Sequence, residues 1–467
     1  MTILETPKKW HHETDVIIVG GGTAGLPAAI TVAEAGLKAT VIESKAVCGG
    51  SFSMIAGAMA FSGTDEQKVA GVEDSPDILY EDMTNIAGAV PELARAYADN
   101  QIDAYRMLRE VGIKFPGLVS HPGHSRLRTH GWVSEIVSKF AKALEGRAKD
   151  RGVVILLKHR ASRLITDPQT GRIIGLKVIV KGETKSFKAQ RAVILATGGF
   201  GRNRGMVSEY APNMVDTIPM MPVGHQGDGL KMGLDMGAAT KDIGIAVAPS
   251  FPVCIETHSV ALPALDYGGI MVNIEGRRFY AESSTEYFCG PMTGAGMRQP
   301  GGVYWVVYND RIKGEIDNKR ELRWLEKCRQ YKADTIEEVA KSAGIDAKGL
   351  KETIAKYNRD LDIVGYDTVF GRKSQFAPEK PLVKIDTPPF HAIKCITSVT
   401  SLKGGLKVNA LSQVISQYGE VIPGLYAAGE VIGGLYTKAY LSGVMSSSSM
   451  TFGIIAGRNA AKEPAWE

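Results

Sequence analysis

The stretch from Asp15 to Glu43, DVIIVGGGTAGLPAAITVAEAGLKATVIE, constrains this chain more than any other. Val16 to Val19 is apolar on both faces, the pattern of a central parallel strand rather than an exposed edge. Gly20, Gly22 and Gly25 follow as G-x-G-x-x-G, with Thr23 and Ala24 inside the motif. The first glycine permits the tight turn, the second lets backbone approach a pyrophosphate, and the third lets helix and strand pack closely. The helix N-terminus then faces the phosphates. Leu37 to Ile42 gives a second strand, and Glu43, followed by Ser44, ends it where a carboxylate accepts hydrogen bonds from a ribose diol. A plain strand-to-helix turn would explain the glycines but not the acid, so the stretch is read as a dinucleotide site.

With 467 residues, 44% of them hydrophobic, the chain has material for two domains and a sizeable core. Its net charge of +5 is small for this length, and acidic and basic residues alternate. That indicates no nucleic-acid or membrane surface, while anionic small ligands stay compatible. Cys48, Cys254, Cys289, Cys328 and Cys395 are scattered without a C-x-x-C pair. They read as reduced thiols, not as a disulfide scaffold, zinc ribbon or iron–sulfur site. The leader MTILETPKKWHHETD lacks a signal-peptide layout, and no apolar run approaches the roughly 18 residues of a spanning helix. A cytoplasmic location is expected, and His11 and His12 read as exposed tail.

Further glycine stations follow. SKAVCGGSFSMIAGAM places Gly49, Gly50, Ser51 and Gly57 in a loop able to run beside a large flat ligand, which an enzyme using NAD alone does not need. Pro76 to Gly112 has helical periodicity and reads as core. The loop SHPGHSRLRTHG gathers His121, His124, His130, Arg126 and Arg128, and is open to either ligand contact or solvation. A helix is expected from Val133 to Ala148, and strands at Val153 to Leu157 and Ala161 to Ile165. A hairpin then leads into a buried strand, Ala192 to Leu195, ending in Ala196, Thr197, Gly198 and Gly199, where open α/β sheets place ligands. Another helix starts at Gly227 and Asp228. Val247 to Val399 reads as an inserted domain carrying two short amphipathic helices and a hairpin turning at Glu275 and Gly276. The C-terminal stretch, with a strand at Leu425 to Ala427 and a small-residue helix, returns to the first domain.

Taken together, GGGTAG, CGGSFSMIAGAM, ATGGFG and GLYAAGEV, with GDGLKMGLDMGA between the last two, resemble the fumarate reductase and succinate dehydrogenase flavoprotein family over nearly the whole chain. The resemblance implies an α/β fold: a Rossmann-like FAD-binding domain (10–246 plus 400–462) with an inserted α+β capping domain (247–399) that bears on the substrate, and tails at 1–9 and 463–467. It puts Gly20, Gly22 and Gly25 at the pyrophosphate, Glu43 at the adenosine ribose, Gly49, Gly50 and Ser51 at the phosphates and flavin edge, and Glu430, next to Gly429, at the ribityl chain. Thr23, Ala24, Ser44, Gly57, Ala161, Thr197, Gly198 and Asp228 complete the expected cofactor contacts. Val444, Met445 and Ser446 match a helix start whose amides approach the flavin pyrimidine, where the helix dipole favours negative charge. Members that attach FAD covalently use a histidine in the second glycine loop, and none lies between Cys48 and Met59. Non-covalent FAD is therefore expected.

The resemblance fails where fumarate would be gripped. The family's catalytic arginine falls on or beside Glu286, its C-terminal carboxylate-binding arginine becomes Tyr440, and two substrate histidines become Ala248 and Ser401. A tyrosine at the C-terminal position, in the context SGVMSSSSMTFG, resembles the related 3-ketosteroid dehydrogenases. There a tyrosine removes a proton α to a ketone, hydride leaves the β-carbon for flavin N5, and donors at the carbonyl oxygen stabilise the enolate. Tyr440 is then the carbonyl donor, with the backbone amide of Val444, which stands where those enzymes have glycine. Tyr287 is the expected base, with Glu286, one residue earlier, as the alternative. The implied activity is FAD-dependent interconversion of a small carbonyl substrate and its α,β-unsaturated form. Two alternatives stand beside it: an enoate reductase of the fumarate or urocanate reductase type acting on a non-dicarboxylate acrylate, with Arg298 as a displaced cation, and a flavin electron-transfer subunit of a larger complex. Cys48 reads as a small buried thiol. The electron acceptor is unknown, and assembly as a homo-oligomer is left open.

Overall fold

A computed structural model describes residues 6–53, 58–119, 123–131, 137–245, 252–282, 290–316, 319–375 and 380–466. The chain divides into two compact units, the first formed by 1–215, 221–247 and 401–467, the second by 216–220 and 248–400.

The first unit is built on an eight-stranded sheet with the order 413–415, 421–427, 183–195, 12–19, 39–43, 154–157, extended by the antiparallel strands 173–180 and 159–166. His12–Val19 lies at its centre, parallel to both Ala39–Glu43 and Glu183–Leu195. Val16, Ile17 and Ile18 are fully buried, as a strand covered on both faces requires. Helix Gly25–Glu34 leaves the first strand through the glycine turn. A Cβ on Gly25 would lie 1.8 Å from the Gly20 carbonyl oxygen, so the third glycine of the motif is demanded by backbone contact. The C-terminal helix Val444–Lys462 packs along Gly25–Glu34. A Cβ at Gly453 would come within 2.2 Å of the Ala24 oxygen, which is why the last helix is made of small residues.

The hairpin and the buried strand expected as separate pieces are continuous. Ile173–Val180 turns at Lys181 and Gly182, both with positive φ, into the 13-residue strand Glu183–Leu195. That strand's far end pairs with Val16 to Val19.

Three expectations are corrected. His11 and His12 are not loose leader: His12 opens the central strand with Nε2 2.9 Å from Thr40 Oγ1, and His11 Nδ1 accepts the Ser186 amide at 3.1 Å. The C-terminal residues are likewise anchored, with Tyr426 donating to Glu463 at 2.7 Å and the Trp466 indole N–H to the Ala189 oxygen at 3.0 Å. In the basic loop, Arg128 and His130 serve packing. Arg128 is buried against Asp74 and Asp82 at 2.8 and 2.7 Å, a paired charge that would be costly to leave alone. His130 lies 2.8 Å from Thr64 Oγ1 amid Phe61, Tyr105 and Phe115, and burial lowers its pKa. Arg126 is exposed, and His121 lies outside the described residues.

The second unit holds a six-stranded sheet in which Phe390–Val399 pairs with 303–309, 252–254, 331–333 and 218–219, and 270–272 flanks 303–309. The two amphipathic helices are present as Ile336–Ala343 and Ala347–Val364. Thr335 and Asp346 cap their N-termini, and Gly344 and Gly365 end them in left-handed conformation, the signals that delimit them in the sequence. The expected turn at Glu275 and Gly276 is present, closed by the Gly276 amide on the Asn273 oxygen at 2.9 Å, but the hairpin is short, joining the three-residue strand Ile270–Val272 to a single antiparallel bridge from Val272 to Arg278.

Candidate functional site

The carboxyl ends of the parallel strands in the first unit surround a cleft of about 380 Å³. Its wall brings together nearly all the glycine stations. Gly20, Gly22, Thr23, Ala24, Glu43, Ser44, Gly50 and Ser51 come from the first 51 residues, Ala161, Thr197, Gly198 and Asp228 from the middle, and Gly429, Glu430, Met445 and Ser446 from the C-terminal return. Gly25 stands just behind the turn, in contact with Gly20. Gly49, whose amide donates to the Gly21 oxygen at 2.9 Å, also supports the wall from behind. Gly57, Glu286, Tyr287 and Ala248 lie outside the described residues.

On the wall of the cleft Glu43 is pre-oriented. Its Oε2 accepts the Gly21 amide at 2.9 Å and its Oε1 the Lys45 amide at 2.8 Å, so the carboxylate sits rigidly where a diol would meet it. Replacing Glu43 by glutamine turns an amide NH₂ toward one of those N–H donors. FAD affinity is expected to fall about tenfold, roughly 1.4 kcal/mol, read by cofactor titration of the apoprotein. Nearby, Arg160 clasps Asp228 through two hydrogen bonds of 2.8 Å, fixing the strand 159–166 against the start of helix Asp228–Asp235.

Along the floor, Cys48 is buried and its thiol is pushed up to about 12, chiefly by that burial. It is an inert thiol, as expected, and not a thiolate nucleophile. Thr197 Oγ1 is buried without a partner among the described residues. His225, which the sequence reading missed, is 4% exposed and joins two walls: its Nε2 lies 2.9 Å from Ser51 Oγ and its Nδ1 3.6 Å from Glu430 Oε2. That Nδ1 also has no hydrogen-bond partner among the described residues. Ser401 donates to Glu430 Oε1, so the serine that replaces a substrate histidine is committed to holding this carboxylate.

The start of helix Val444–Lys462 lines the same cleft. The Val444 amide donates to the Leu441 oxygen at 3.2 Å and that of Ser447 to the Gly443 oxygen at 3.3 Å. Val444 is thus not a free donor, and its assignment to a substrate carbonyl is corrected: the turn that launches the helix uses its N–H. The amides of Met445 and Ser446 make no backbone hydrogen bond among the described residues and lie on the cleft wall. Unpaired N–H groups at a helix start favour an electron-rich oxygen.

Tyr440 lies just before this helix, partly buried, its ring 6.1 Å from that of Tyr436. Burial pushes the phenol up to about 12, so near neutrality it is a neutral hydrogen-bond donor. The segment carrying it is pinned from the loop below, where the His124 ring bonds the Ser442 oxygen at 2.7 Å and the Thr129 hydroxyl donates to it at 3.4 Å. Arg298, in the second unit, has an exposed side chain.

These features fit FAD. A Cβ at Gly22 would meet nothing nearer than 3.8 Å, leaving open room for phosphate over the glycine turn, while Glu43, Met445 and Ser446 line the same cleft. The residues missed by the sequence reading, His225, Arg160 and Lys45, line it without belonging to a glycine motif. Only the position of His225, two residues before the Gly227 turn, hinted at its place.

Comparison with known proteins agrees. The FAD binding domain family model matches residues 15–446. The urocanate reductase of Eggerthella lenta is 31% identical over 98% of this chain and 76% of that protein. The open conformation of a flavocytochrome c3 fumarate reductase superposes with a TM-score of 0.83 at 29% identity, covering 97% of this chain and 79% of that one. A 3-ketosteroid-Δ4-(5α)-dehydrogenase from Rhodococcus jostii shares the fold, with a TM-score of 0.80 at 24% identity over 99% of both chains. Among the described residues no helix is long and apolar enough to cross a membrane, and no cluster of potential metal ligands occurs. This chain belongs to the fumarate reductase and succinate dehydrogenase flavoprotein family, and it is an FAD-dependent oxidoreductase acting on carbon–carbon bonds.

Proposed function

We propose that the enzyme interconverts a ketone or related carbonyl compound and its α,β-unsaturated form. The observation that carries this reading is Tyr440: where the family's carboxylate-gripping arginine is expected, the chain presents a half-buried phenol, raised to about 12 and so protonated near neutrality. A neutral donor suits a neutral carbonyl oxygen, because a carboxylate would enter this position without a compensating charge. Ser401, bound to Glu430, supports the same reading, since it offers no second cation.

Bound FAD supplies the two-electron acceptor for hydride from the β-carbon in desaturation, or its donor in reduction. The residues supply the rest. Tyr440 donates a hydrogen bond to the carbonyl oxygen and stabilises the charge that develops there when the α-proton leaves. Gly20, Gly22 and Glu43 would hold the adenosine half of the cofactor, and Glu430 with Ser51 and His225 the middle, all of them on the cleft wall. The amides of Met445 and Ser446 would favour the negative charge that the flavin gains on reduction. Tyr287, or Glu286 beside it, takes the α-proton on this reading. The cofactor is held without a covalent bond.

The test is anaerobic. Mixing oxidised enzyme with a panel of cyclic ketones, or reduced enzyme with the matching enones, should change the flavin absorbance with saturating kinetics. If no member of the panel does so in either direction, this reading falls. A second reading, enoate reduction, is favoured by the likeness to a urocanate reductase and a fumarate reductase. It requires a cation for the substrate carboxylate, and re-oxidation of the reduced enzyme by acrylates alone would establish it.

A further inference from the structure

Lys403 opens the short strand Lys403–Leu406 and is 5% exposed, yet neither the glycine motifs nor the chemistry above uses it. Residues two apart on an extended chain point the same way. Ser401 and Lys403 accordingly both turn to Glu430, the serine by donating a hydrogen bond and the lysine through the attraction of opposite charges. The ammonium also lies 4.8 Å from the centroid of the Tyr436 ring. Neither contact is a hydrogen bond, and among the described residues Lys403 Nζ has no hydrogen-bond or ion-pair partner. A buried ammonium with three idle donors is unfavourable unless a ligand accepts from it. Burial accordingly lowers its pKa to about 8, with Glu430 resisting.

Lys403 lines a second cavity of about 20 Å³. That is room for roughly one oxygen atom. Gly429, Glu430, Met445 and Ser449 wall both this cavity and the large cleft, so the space opens beside the helix start assigned to the flavin pyrimidine.

We propose that Lys403 is a cofactor-contacting cation, donating to an oxygen at the redox-active end of FAD, directly or through one water, and stabilising the negative charge that reduction places there. This rests on FAD occupying the cleft and not on the identity of the substrate, so the substrate assignment can fail while it stands. The groups around Lys403 are Glu430 on the adjoining turn, with His225 beyond it, Tyr436 and Tyr440 ahead of the last helix, and Ser448 on that helix. The paired strand contributes Lys241 and Asp242, 3.1 Å apart. Both tyrosines are shifted upward by burial, leaving Lys403 facing the Glu430 carboxylate, with the His225 ring beyond it.

The experiment is the midpoint potential of the bound flavin between pH 6 and 10, with substrate absent, for wild type, Lys403→Met and Lys403→Arg. At pH 7, Lys403→Met should favour the reduced cofactor at least tenfold less, a fall of about 30 mV for a two-electron couple. Lys403→Arg should retain most of the wild-type value. The wild-type advantage should also close above pH 8 as the ammonium loses its proton, while Lys403→Arg keeps its advantage to pH 10. A Lys403→Met potential matching wild type throughout overturns the proposal, as does an equal fall in both variants. Should Lys403→Met fail to take up FAD, the comparison of wild type with Lys403→Arg decides: parallel potentials across pH 8–10 refute the proposal, and divergence supports it.

Discussion

Replacing Tyr440 by phenylalanine is expected to cut the rate of flavin reduction or re-oxidation by the substrate about 10²–10³-fold, roughly 2.7–4 kcal/mol of barrier. FAD should remain bound and the fold intact. The change removes one oxygen and keeps the ring, so the 6.1 Å contact with Tyr436 and the His124 clasp on Ser442 survive. What disappears, along with the hydroxyl's bond to the Gly443 backbone, is the donor proposed for the charge that develops on the carbonyl oxygen. Because burial raises this phenol to about 12, wild-type activity should show no loss from Tyr440 ionisation below pH 10. The same shift makes its contribution to stability complete below pH 10 and lost as the pH passes about 12. Stopped-flow rates for wild type and variant on one substrate, beside their flavin spectra, check this. A change smaller than about threefold, under 1 kcal/mol, would remove Tyr440 from the chemistry.

Gly25→Ala should have the largest effect on the protein itself. The added methyl would sit 1.8 Å from the Gly20 carbonyl oxygen, a backbone atom fixed between the first strand and its helix, so the helix start must move. Overpacking of this kind costs about 3 kcal/mol where it cannot relax. In a unit of about 300 residues that lowers the melting temperature by roughly 5 °C. The displaced helix no longer presents its N-terminus to the phosphates, and FAD affinity should fall about 100-fold or more, equivalent to roughly 2.7 kcal/mol. Thermal melts of the apoprotein and cofactor titration separate the two losses. Wild-type FAD affinity in the variant would contradict the close-approach role of the third glycine.

The contrast between these two residues explains what was legible in the sequence. The dinucleotide-binding turn could be read because each of its glycines answers a local steric demand, and Glu43 lies at a fixed distance along the same strand–helix–strand unit. The helices 336–343 and 347–364 could be read because capping residues and terminal glycines mark their ends locally. His225, Arg160 and Lys403 could not. Each acquires its role from a partner far away in the chain, Ser51 for His225, Asp228 for Arg160 and Glu430 for Lys403. No periodicity encodes such pairings. Arg128 and His130 are ambiguous in the sequence for the same reason: Asp74 and Asp82, and the aromatic box of Phe61, Tyr105 and Phe115, come from other segments of the chain. Val444 was assigned as a donor by analogy, and only the turn to Leu441 reveals that its amide is occupied.

The most direct test of the central claim, that a neutral phenol has replaced a cationic anchor in an FAD-dependent enzyme of carbon–carbon bonds, is anaerobic re-oxidation of the reduced flavin by paired acceptors. 2-Cyclohexenone and fumarate, offered separately at equal concentration, should differ by at least about tenfold in second-order rate, or 1.4 kcal/mol, in favour of the enone. Faster re-oxidation by fumarate, with the enone inert, would contradict the claim and return this enzyme to the carboxylate-binding chemistry of its relatives.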